Sequence, residues 1–267
     1  ATFGNGLAKI SNVDDSKYRQ IRWFDITSGM PGKNMNTLFE DIEGNIWCGG
    51  YGSGLAQLYE KAFIFYNFDP ERYGKSVLSI ANLGPHTFIG TEKGLIKTDS
   101  VTGGLVQFYS TSHGLPADAV TALYPDSENM LWIGTGSNGV YRLSDKGYLQ
   151  KINTGKGTLE NSITAITGKD DAIWIGTKKG LIEVSRKTGL FTWHTLETSG
   201  LPHNYINHIY IDSKGVAWVT TLSNILSFID NNRTGKIEII STKGYLILGP
   251  VTGDKNSVIW VGSNGGG

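Results

Sequence analysis

Short apolar or alternating runs separated by turn residues fill the chain, and they recur in groups of four. In the clearest group the runs are Val120 to Tyr124, Leu131 to Thr135, Gly139 to Ser144 and Leu149 to Asn153. Such runs, rich in β-branched and aromatic residues and bounded by Gly, Asn, Asp and Ser, are typical of strands joined by tight turns. Each group therefore predicts a four-stranded antiparallel sheet, whose strands we call a, b, c and d.

The groups repeat at a regular period, marked by an aromatic residue in strand b. This residue is Phe88 in one group and Trp in the others, at positions 47, 132, 174, 218 and 260, so that successive intervals are 41, 44, 42, 44 and 42 residues. The motif is best preserved at Leu131 to Thr135 and at Ile173 to Thr177. A four-stranded unit of this period is the signature of a propeller blade.

Five complete groups occupy about residues 37–240, and half a group remains at each end. Residues 1–25 supply only strands c and d, and residues 246–263 supply only strands a and b. Closing a ring by joining these halves would leave no exposed sheet edge. We therefore predict one all-β domain over residues 1–267, a six-bladed β-propeller closed by a split blade. The alternative is seven blades, with one outside this chain.

Two further recurrences are interpreted as parts of the scaffold. Gly29-Met30-Pro31, Gly114-Leu115-Pro116 and Gly200-Leu201-Pro202 each place proline 16 residues before the Trp, which fits a fixed crossover from strand d to the next strand a. An acidic residue recurs six positions before the Trp, at Asp41, Asp126, Asp212 and Asp254, with Asn82 in the corresponding place. This residue is predicted to cap backbone amides in the a-to-b hairpin.

The composition limits the classes of partner that we expect. Lys plus Arg number 24 and Asp plus Glu number 24, so the formal charge is zero and nothing draws the whole chain to nucleic acid or an anionic membrane. We therefore expect no nucleic-acid partner and no membrane contact by this segment. The single cysteine, Cys48, occupies a position that is Ile or Val in the other groups, which predicts a buried apolar side chain.

Charges become asymmetric when they are sorted by the end of the blade on which they fall. The end that carries the d-to-a crossovers and b-to-c turns is mildly basic, whereas the opposite a-to-b turns are acidic. The basic end is the candidate face for an anionic or sugar ligand. Its candidate binding residues are Lys33, Tyr51, Arg72, Tyr73, Lys93, His113, Lys178, Lys179, His203 and Tyr205. The alternative interpretation is that these are ordinary solvated loop residues.

Catalytic and metal signals are weak. The sequence has no Cys/His spacing typical of a metal site and no nucleophile elbow, so we predict no catalytic residue, no metal and no cofactor. His194 and His208 fall on strands, where a packed role is expected. His113 and His203, beside the Gly-Leu-Pro crossovers, are the candidate acid/base groups if the propeller is an enzyme.

The order Gly-Leu-Pro, a short β run, then Asp-x-x-Gly-x-x-Trp-Ile-Gly-Thr-x-x-Gly-Leu resembles the two-component regulator propeller repeat. The best matches are Gly114 to Arg142 and Gly200 to Trp218, and the resemblance covers essentially the full chain. Several positions depart from the pattern. Phe88 replaces Trp, Thr220 replaces Gly, and Arg72, Thr158 and Gly244 stand in place of proline.

The resemblance implies the extracytoplasmic sensor region of a hybrid two-component histidine kinase, of the kind found in Bacteroidetes. Such a propeller is expected at the periplasmic or extracellular face of a Gram-negative bacterium, where it binds a polysaccharide fragment without catalysis. Its implied partners are other domains of the same chain and, in the full-length sensor, a second copy. The alternatives are a surface scaffold or glycan-binding propeller of a secretion-associated protein, and a streptogramin-lyase-like enzyme.

One feature of the N-terminus bears on the extent of the chain. Residues Thr2 to Leu7 read like Thr135 to Val140, which places residue 1 inside a repeat. We therefore expect the chain to be an excerpt from a longer protein.

Overall fold

The structure is a computed structural model of the chain. It describes residues 4–11, 20–40, 44–59, 62–66, 68–100, 104–115, 119–154, 160–230, 233–238, 247–254 and 257–264. The chain divides into two compact units, Ala1–Pro125 (unit 1) and Asp126–Gly267 (unit 2). Each unit is described by itself.

Unit 1 consists of antiparallel strands that follow one another in chain order. A hairpin comes first, formed by β1 (Leu7–Ser11) and β2 (Gln20–Phe24). The first four-stranded sheet contains β3 (Met35–Glu40), β4 (Ile46–Gly50), β5 (Gly54–Tyr59) and β6 (Ala62–Tyr66). The second contains β7 (Val77–Leu83), β8 (His86–Thr91), β9 (Gly94–Asp99) and β10 (Leu105–Tyr109), and β11 (Val120–Pro125) ends the unit.

Unit 2 continues the same order. It begins with β12 (Leu131–Thr135), β13 (Val140–Leu143) and β14 (Leu149–Ile152). Two four-stranded sheets follow, the first formed by β15 (Ile163–Lys169), β16 (Ala172–Thr177), β17 (Gly180–Ser185) and β18 (Phe191–His194). The second is formed by β19 (Ile206–Ile211), β20 (Ala217–Thr221), β21 (Ile225–Asp230) and β22 (Arg233–Glu238). A hairpin of β23 (Ile247–Gly253) and β24 (Ile259–Asn264) ends the unit.

The observed strands confirm the predicted all-β class and the order a, b, c, d. Most boundaries agree within two residues, but the predicted start of the last strand d is wrong: the strand was predicted at Ile237 to Ile240 and is found at Arg233–Glu238. Residues 239, 240 and 246 lie outside the described residues, as do Asp41, Pro116, Thr158 and Gly244. The terminal hairpins β1–β2 and β23–β24 match the predicted half-blades. The number of blades, the closure of a ring and the single domain stay predictions.

The buried residues lie mainly on the inner strands of each sheet. Strand b, for example, lies between two hydrogen-bonded neighbours and under the facing sheet. Every residue of β12 is buried, whereas the outer strand β10 has the pattern of an exposed edge. In unit 1, Trp47 is 1% exposed and packs with Leu55, Val77 and Ile89 from two adjacent sheets. The predicted interior position of Cys48 is confirmed, since its exposure is 0%.

The small residue near the end of strand b keeps neighbouring sheets close. A Cβ built at Gly90 would lie 2.5 Å from the carbonyl oxygen of Val120, on the next strand a, so only glycine fits without movement. Thr220 departs from this rule without disrupting the packing. Its side chain is fully buried and its hydroxyl donates a 2.7 Å hydrogen bond to the Gly249 carbonyl.

Candidate functional site

The candidate face consists of the d-to-a crossovers and the b-to-c turns, which fall at the same end of each antiparallel sheet. Within the described residues, four crossovers contain a short helix that the sequence interpretation missed. They are the 3-10 helices Ile26–Ser28 and Thr111–His113 and the α-helices α1 (Pro70–Tyr73) and α2 (Leu196–Ser199). The available signal was an Asp, Ser or Thr four or five residues before a glycine, since these residues begin and end helices.

In unit 1, α1 lies between two b-to-c turns and is tied to both. The amide of Gly52, in one turn, donates a 3.0 Å hydrogen bond to the Ser76 hydroxyl, just after α1. From the other turn, the Glu92 carboxylate accepts hydrogen bonds from the Lys75 amide and, at 2.7 Å, from the Ser76 amide. The candidate residue Lys93 donates through its ammonium group to the Glu71 carbonyl. Lys93 is therefore anchored to the crossover.

Tyr73 was predicted to be a candidate binding residue of the basic end, and this prediction is wrong. Tyr73 is only 7% exposed and lies in the core, with its ring edge-on to Phe108 at 5.0 Å. The turn of α1 directs Tyr73 inward, and the Thr91 hydroxyl holds the Tyr73 carbonyl at 2.6 Å. The Arg72 guanidinium covers the outer side of the ring at 5.2 Å. Arg72 stays on the surface.

The other candidate residues of unit 1 lie on the surface. Tyr51 is 59% exposed, and Lys33 and His113 are exposed as well. The Nδ1 atom of His113 lies 3.1 Å from the Ser112 hydroxyl and 3.3 Å from the Ser110 hydroxyl. Tyr51 is therefore the accessible aromatic residue of the candidate set in this unit.

In unit 2, Lys178 and Lys179 are both exposed but differ in their surroundings. The Lys179 ammonium donates a 2.9 Å hydrogen bond to Glu160, and this bond, together with the Glu160 charge, raises the pKa of Lys179. Lys178 forms an ion pair with none of the described residues. Lys178 is thus the freer of the two cations for a ligand.

His203 and Tyr205 lie together on the crossover that follows α2. The Nδ1 atom of His203 accepts a 2.9 Å hydrogen bond from the Tyr205 amide, so that the other ring nitrogen is left for an external partner. His203 is exposed and Tyr205 is half-buried. Leu201, which is 0% exposed, anchors this crossover to the core.

His194 and His208 have the packed roles that were predicted. His194 is 3% exposed and stacks on Trp174 at 5.6 Å, and its Nδ1 lies 3.0 Å from the Ser199 hydroxyl. Burial lowers the pKa of His208. Neither ring is presented to an external substrate.

Unit 1 also contains a cleft that no sequence motif indicated. Its volume is about 280 Å³, and it opens beside α1 between two neighbouring sheets. The lining residues that concern ligand binding are Pro31, Ser53, Tyr66, Phe68, Pro70 and Lys75. They come from four stretches of the chain, around residues 31, 53, 66–70 and 75, which explains why no local pattern revealed the cleft.

Two features are absent from the described ranges. No group of three or more His, Cys, Asp or Glu side chains is placed to hold a metal ion there. No helix in those ranges has the length and hydropathy that crossing a bilayer requires.

The two-component regulator propeller family matches the chain over residues 114–137 and 200–223. Both segments begin at Gly114 and Gly200, where the two stretches that most resemble the repeat begin, so the predicted resemblance is confirmed. No curated protein matches the chain.

Solved structures show the fold. The extracellular domain of BT3049, a hybrid two-component system of B. thetaiotaomicron, matches 100% of this chain with a TM-score of 0.82 and 22% identity. The chain spans 36% of the length of that protein. A streptogramin B lyase matches 97% of this chain and 83% of its own length, with a TM-score of 0.78 and 18% identity. Virginiamycin B lyase from Staphylococcus aureus matches 98% and 86%, with a TM-score of 0.78 and 16% identity. The chain therefore has a propeller fold like those of extracellular sensor regions and of these lyases.

Proposed function

We propose that the chain is a non-catalytic, ligand-sensing propeller from the extracytoplasmic part of a two-component sensor, and that it binds a polysaccharide fragment. The observation that carries the proposal is that a chain with two regulator-propeller repeats is similar, over its whole length, to part of a sensor's extracellular domain. The proposal places the chain at the periplasmic or extracellular face of a bacterium. The proposed partners are other domains of a longer protein and a second copy of the sensor.

The candidate face supplies groups that suit a glycan. In unit 1, Tyr51 offers an exposed ring for the apolar side of a sugar. In unit 2, taken by itself, Lys178 offers a cation without an ion-pair partner among the described residues. The His203 ring has one nitrogen free of its internal hydrogen bond. In unit 1, Lys93 offers a second cation, an ammonium group that its hydrogen bond to the Glu71 carbonyl holds in place. These groups favour weak, polar recognition on an exposed surface.

The test is a glycan array probed with the 267-residue chain, followed by calorimetric titration of any bound oligosaccharide. The double variant Lys93→Ala/Lys178→Ala removes one cation from a b-to-c turn in each unit, and we expect it to weaken binding about two- to tenfold. The matched control is Lys146→Ala/Lys187→Ala. It removes two exposed cations from c-to-d turns, at the other end of the sheets. Equal affinities of the two double variants would exclude the candidate face, and an array without any bound glycan would favour a scaffold.

An enzyme is the second candidate, because the streptogramin B lyase has the same fold and the match covers most of both chains. Such an activity would require His113 or His203, the exposed histidines of the crossovers. The test is incubation of the chain with a streptogramin B antibiotic, with the product followed by mass spectrometry. Turnover that is lost in His113→Ala or His203→Ala would establish an enzyme and contradict the sensor proposal.

A further inference from the structure

The cleft beside α1 has apolar walls suited to the face of a ring. Tyr66, Phe68, Pro31 and Pro70 line it, and Tyr66 is held rigidly. The Tyr66 hydroxyl donates a 2.7 Å hydrogen bond to Gln57 Oε1, and the Tyr66 ring stacks on Trp47 at 5.1 Å. An aromatic wall that is already fixed loses little entropy when a ligand packs against it.

The size of the cleft limits what it can enclose. Pockets that bury a whole drug-sized ligand occupy roughly 300–1,000 Å³. At about 280 Å³, this cleft is just below that range, so it has room for one ring and not for an oligosaccharide. A longer glycan would have to place one terminal ring inside and leave the rest on the surface.

The charge of the cleft favours a ring that carries a carboxylate. Lys75 is the one charged side chain among the described lining residues. Its ammonium lies 3.4 Å from the Glu71 carboxylate, and both side chains are mostly exposed, at 60% and 79%. An exposed pair of this kind is weak. A ligand carboxylate that enters the cleft can therefore replace Glu71 as the partner of Lys75.

Ser53 supplies a polar group without a partner. Its hydroxyl is buried and forms no hydrogen bond with any described residue. A Cβ built at Gly32 or at Gly50 would lie 2.6 or 2.2 Å from that oxygen, so glycine at both positions makes room for the hydroxyl. A buried hydroxyl without a partner is unfavourable. Because Ser53 lines the cleft, rotation of its side chain toward the cleft would let a ring hydroxyl of the ligand relieve the cost.

We propose that this cleft binds the terminal ring of an acidic glycan, with the ring carboxylate on Lys75 and a ring hydroxyl near Ser53. The inference rests on the proposed function. It narrows that function from the whole candidate face to one cleft, and from glycans in general to a chain end that carries a carboxylate.

The test compares D-glucuronate with D-glucose, which differ in the carboxylate, by titration of the full chain. We expect D-glucuronate to bind more tightly, with an advantage that shrinks as salt is added. Lys75→Met should weaken D-glucuronate about two- to fivefold and leave D-glucose unchanged. The matched control Lys146→Met makes the same change on an exposed turn of unit 2 and should have no effect. Glu71→Gln should strengthen D-glucuronate binding, because it removes the competing carboxylate.

Ser53→Ala provides a readout that a purely structural role would not give. Removal of the unpartnered hydroxyl should raise the unfolding temperature of the free protein while it lowers the affinity for D-glucuronate. Unchanged affinity in both Lys75→Met and Ser53→Ala would overturn the inference, as would D-glucose that binds as tightly as D-glucuronate.

The array separates this inference from the proposed function. Glycans that bind to the chain but do not compete with D-glucuronate, and that are insensitive to Lys75→Met, would overturn the cleft and leave the sensor proposal standing. An array on which nothing binds, together with no D-glucuronate binding, would overturn both.

Discussion

The indole N–H of Trp132 donates a 2.8 Å hydrogen bond to Oδ2 of Asp126, six residues earlier in the chain. The other carboxylate oxygen of Asp126 accepts the amides of Glu128 and Met130 at 2.9 and 3.0 Å. One side chain therefore closes the a-to-b hairpin and fixes the large ring of strand b. Within the described residues the arrangement recurs twice, with Nε1–Oδ2 distances of 3.0 Å for Trp218 and Asp212 and 3.3 Å for Trp260 and Asp254.

Asp126→Ala is expected to be strongly destabilising. The Asp126 side chain is 1% exposed, so its removal leaves the buried Trp132 donor and two hairpin amides without their acceptor. We expect a loss of about 2–3 kcal/mol in the free energy of unfolding, measured by urea denaturation. Asp254→Ala is the matched control. Trp260 is 56% exposed, so water can replace the carboxylate, and the expected loss is below about 1 kcal/mol. Equal losses in the two variants would contradict this account.

The same motif predicts a pH dependence at Asp212. Burial alone would raise the pKa of this carboxyl, but hydrogen bonds from Trp218 and from the Val216 and Lys214 amides outweigh burial and lower the pKa below 3.8. Because the folded-state pKa is the lower one, the carboxylate contributes stability above pH 3.8 that is lost as the pH falls through the folded value.

The measurement is the free energy of unfolding of the wild type and of Asp212→Asn, from neutral pH down to about pH 3. The wild type should be the more stable at neutral pH, and the gap should shrink in the acid range. A gap that stays constant across the series would show that the charge of Asp212 contributes nothing.

The period of the strands and the place of Asp126 in a hairpin could be predicted from the sequence, because both depend on residues close together in the chain. The sequence interpretation predicted that Asp126 caps backbone amides but not that it binds Trp132, since spacing alone does not show that two side chains meet. Tyr73 was misplaced because a tyrosine in a crossover has no alternation to reveal which way it points. The cleft was missed because Pro31 and Lys75 meet only after neighbouring sheets have packed.

Gly90→Ala tests the close approach of adjacent sheets. The added Cβ would lie 2.2 Å from the Ser79 hydroxyl and 2.5 Å from the Val120 carbonyl, and the backbone oxygen cannot turn away. We expect a loss of about 1–3 kcal/mol in the free energy of unfolding. Gly249→Ala is the control, because its Cβ would have no neighbour nearer than 3.6 Å. If both variants unfold at the same denaturant concentration, sheet spacing does not require glycine at position 90.

Leu201→Ala tests whether the Gly-Leu-Pro crossover anchors the candidate face. Leu201 is 0% exposed in a core with Trp174, Leu181 and Ile206, and its removal should cost about 2–4 kcal/mol in the free energy of unfolding. Leu196→Ala is the matched control. Leu196 begins α2 in the same crossover and is 50% exposed, so its loss should stay within about 0.5 kcal/mol. Because Leu201 precedes His203 and Tyr205, the variant should also increase amide hydrogen exchange over residues 203–205. Exchange that is unchanged there, or equal destabilisation by the two variants, would show that Leu201 does not anchor this part of the face.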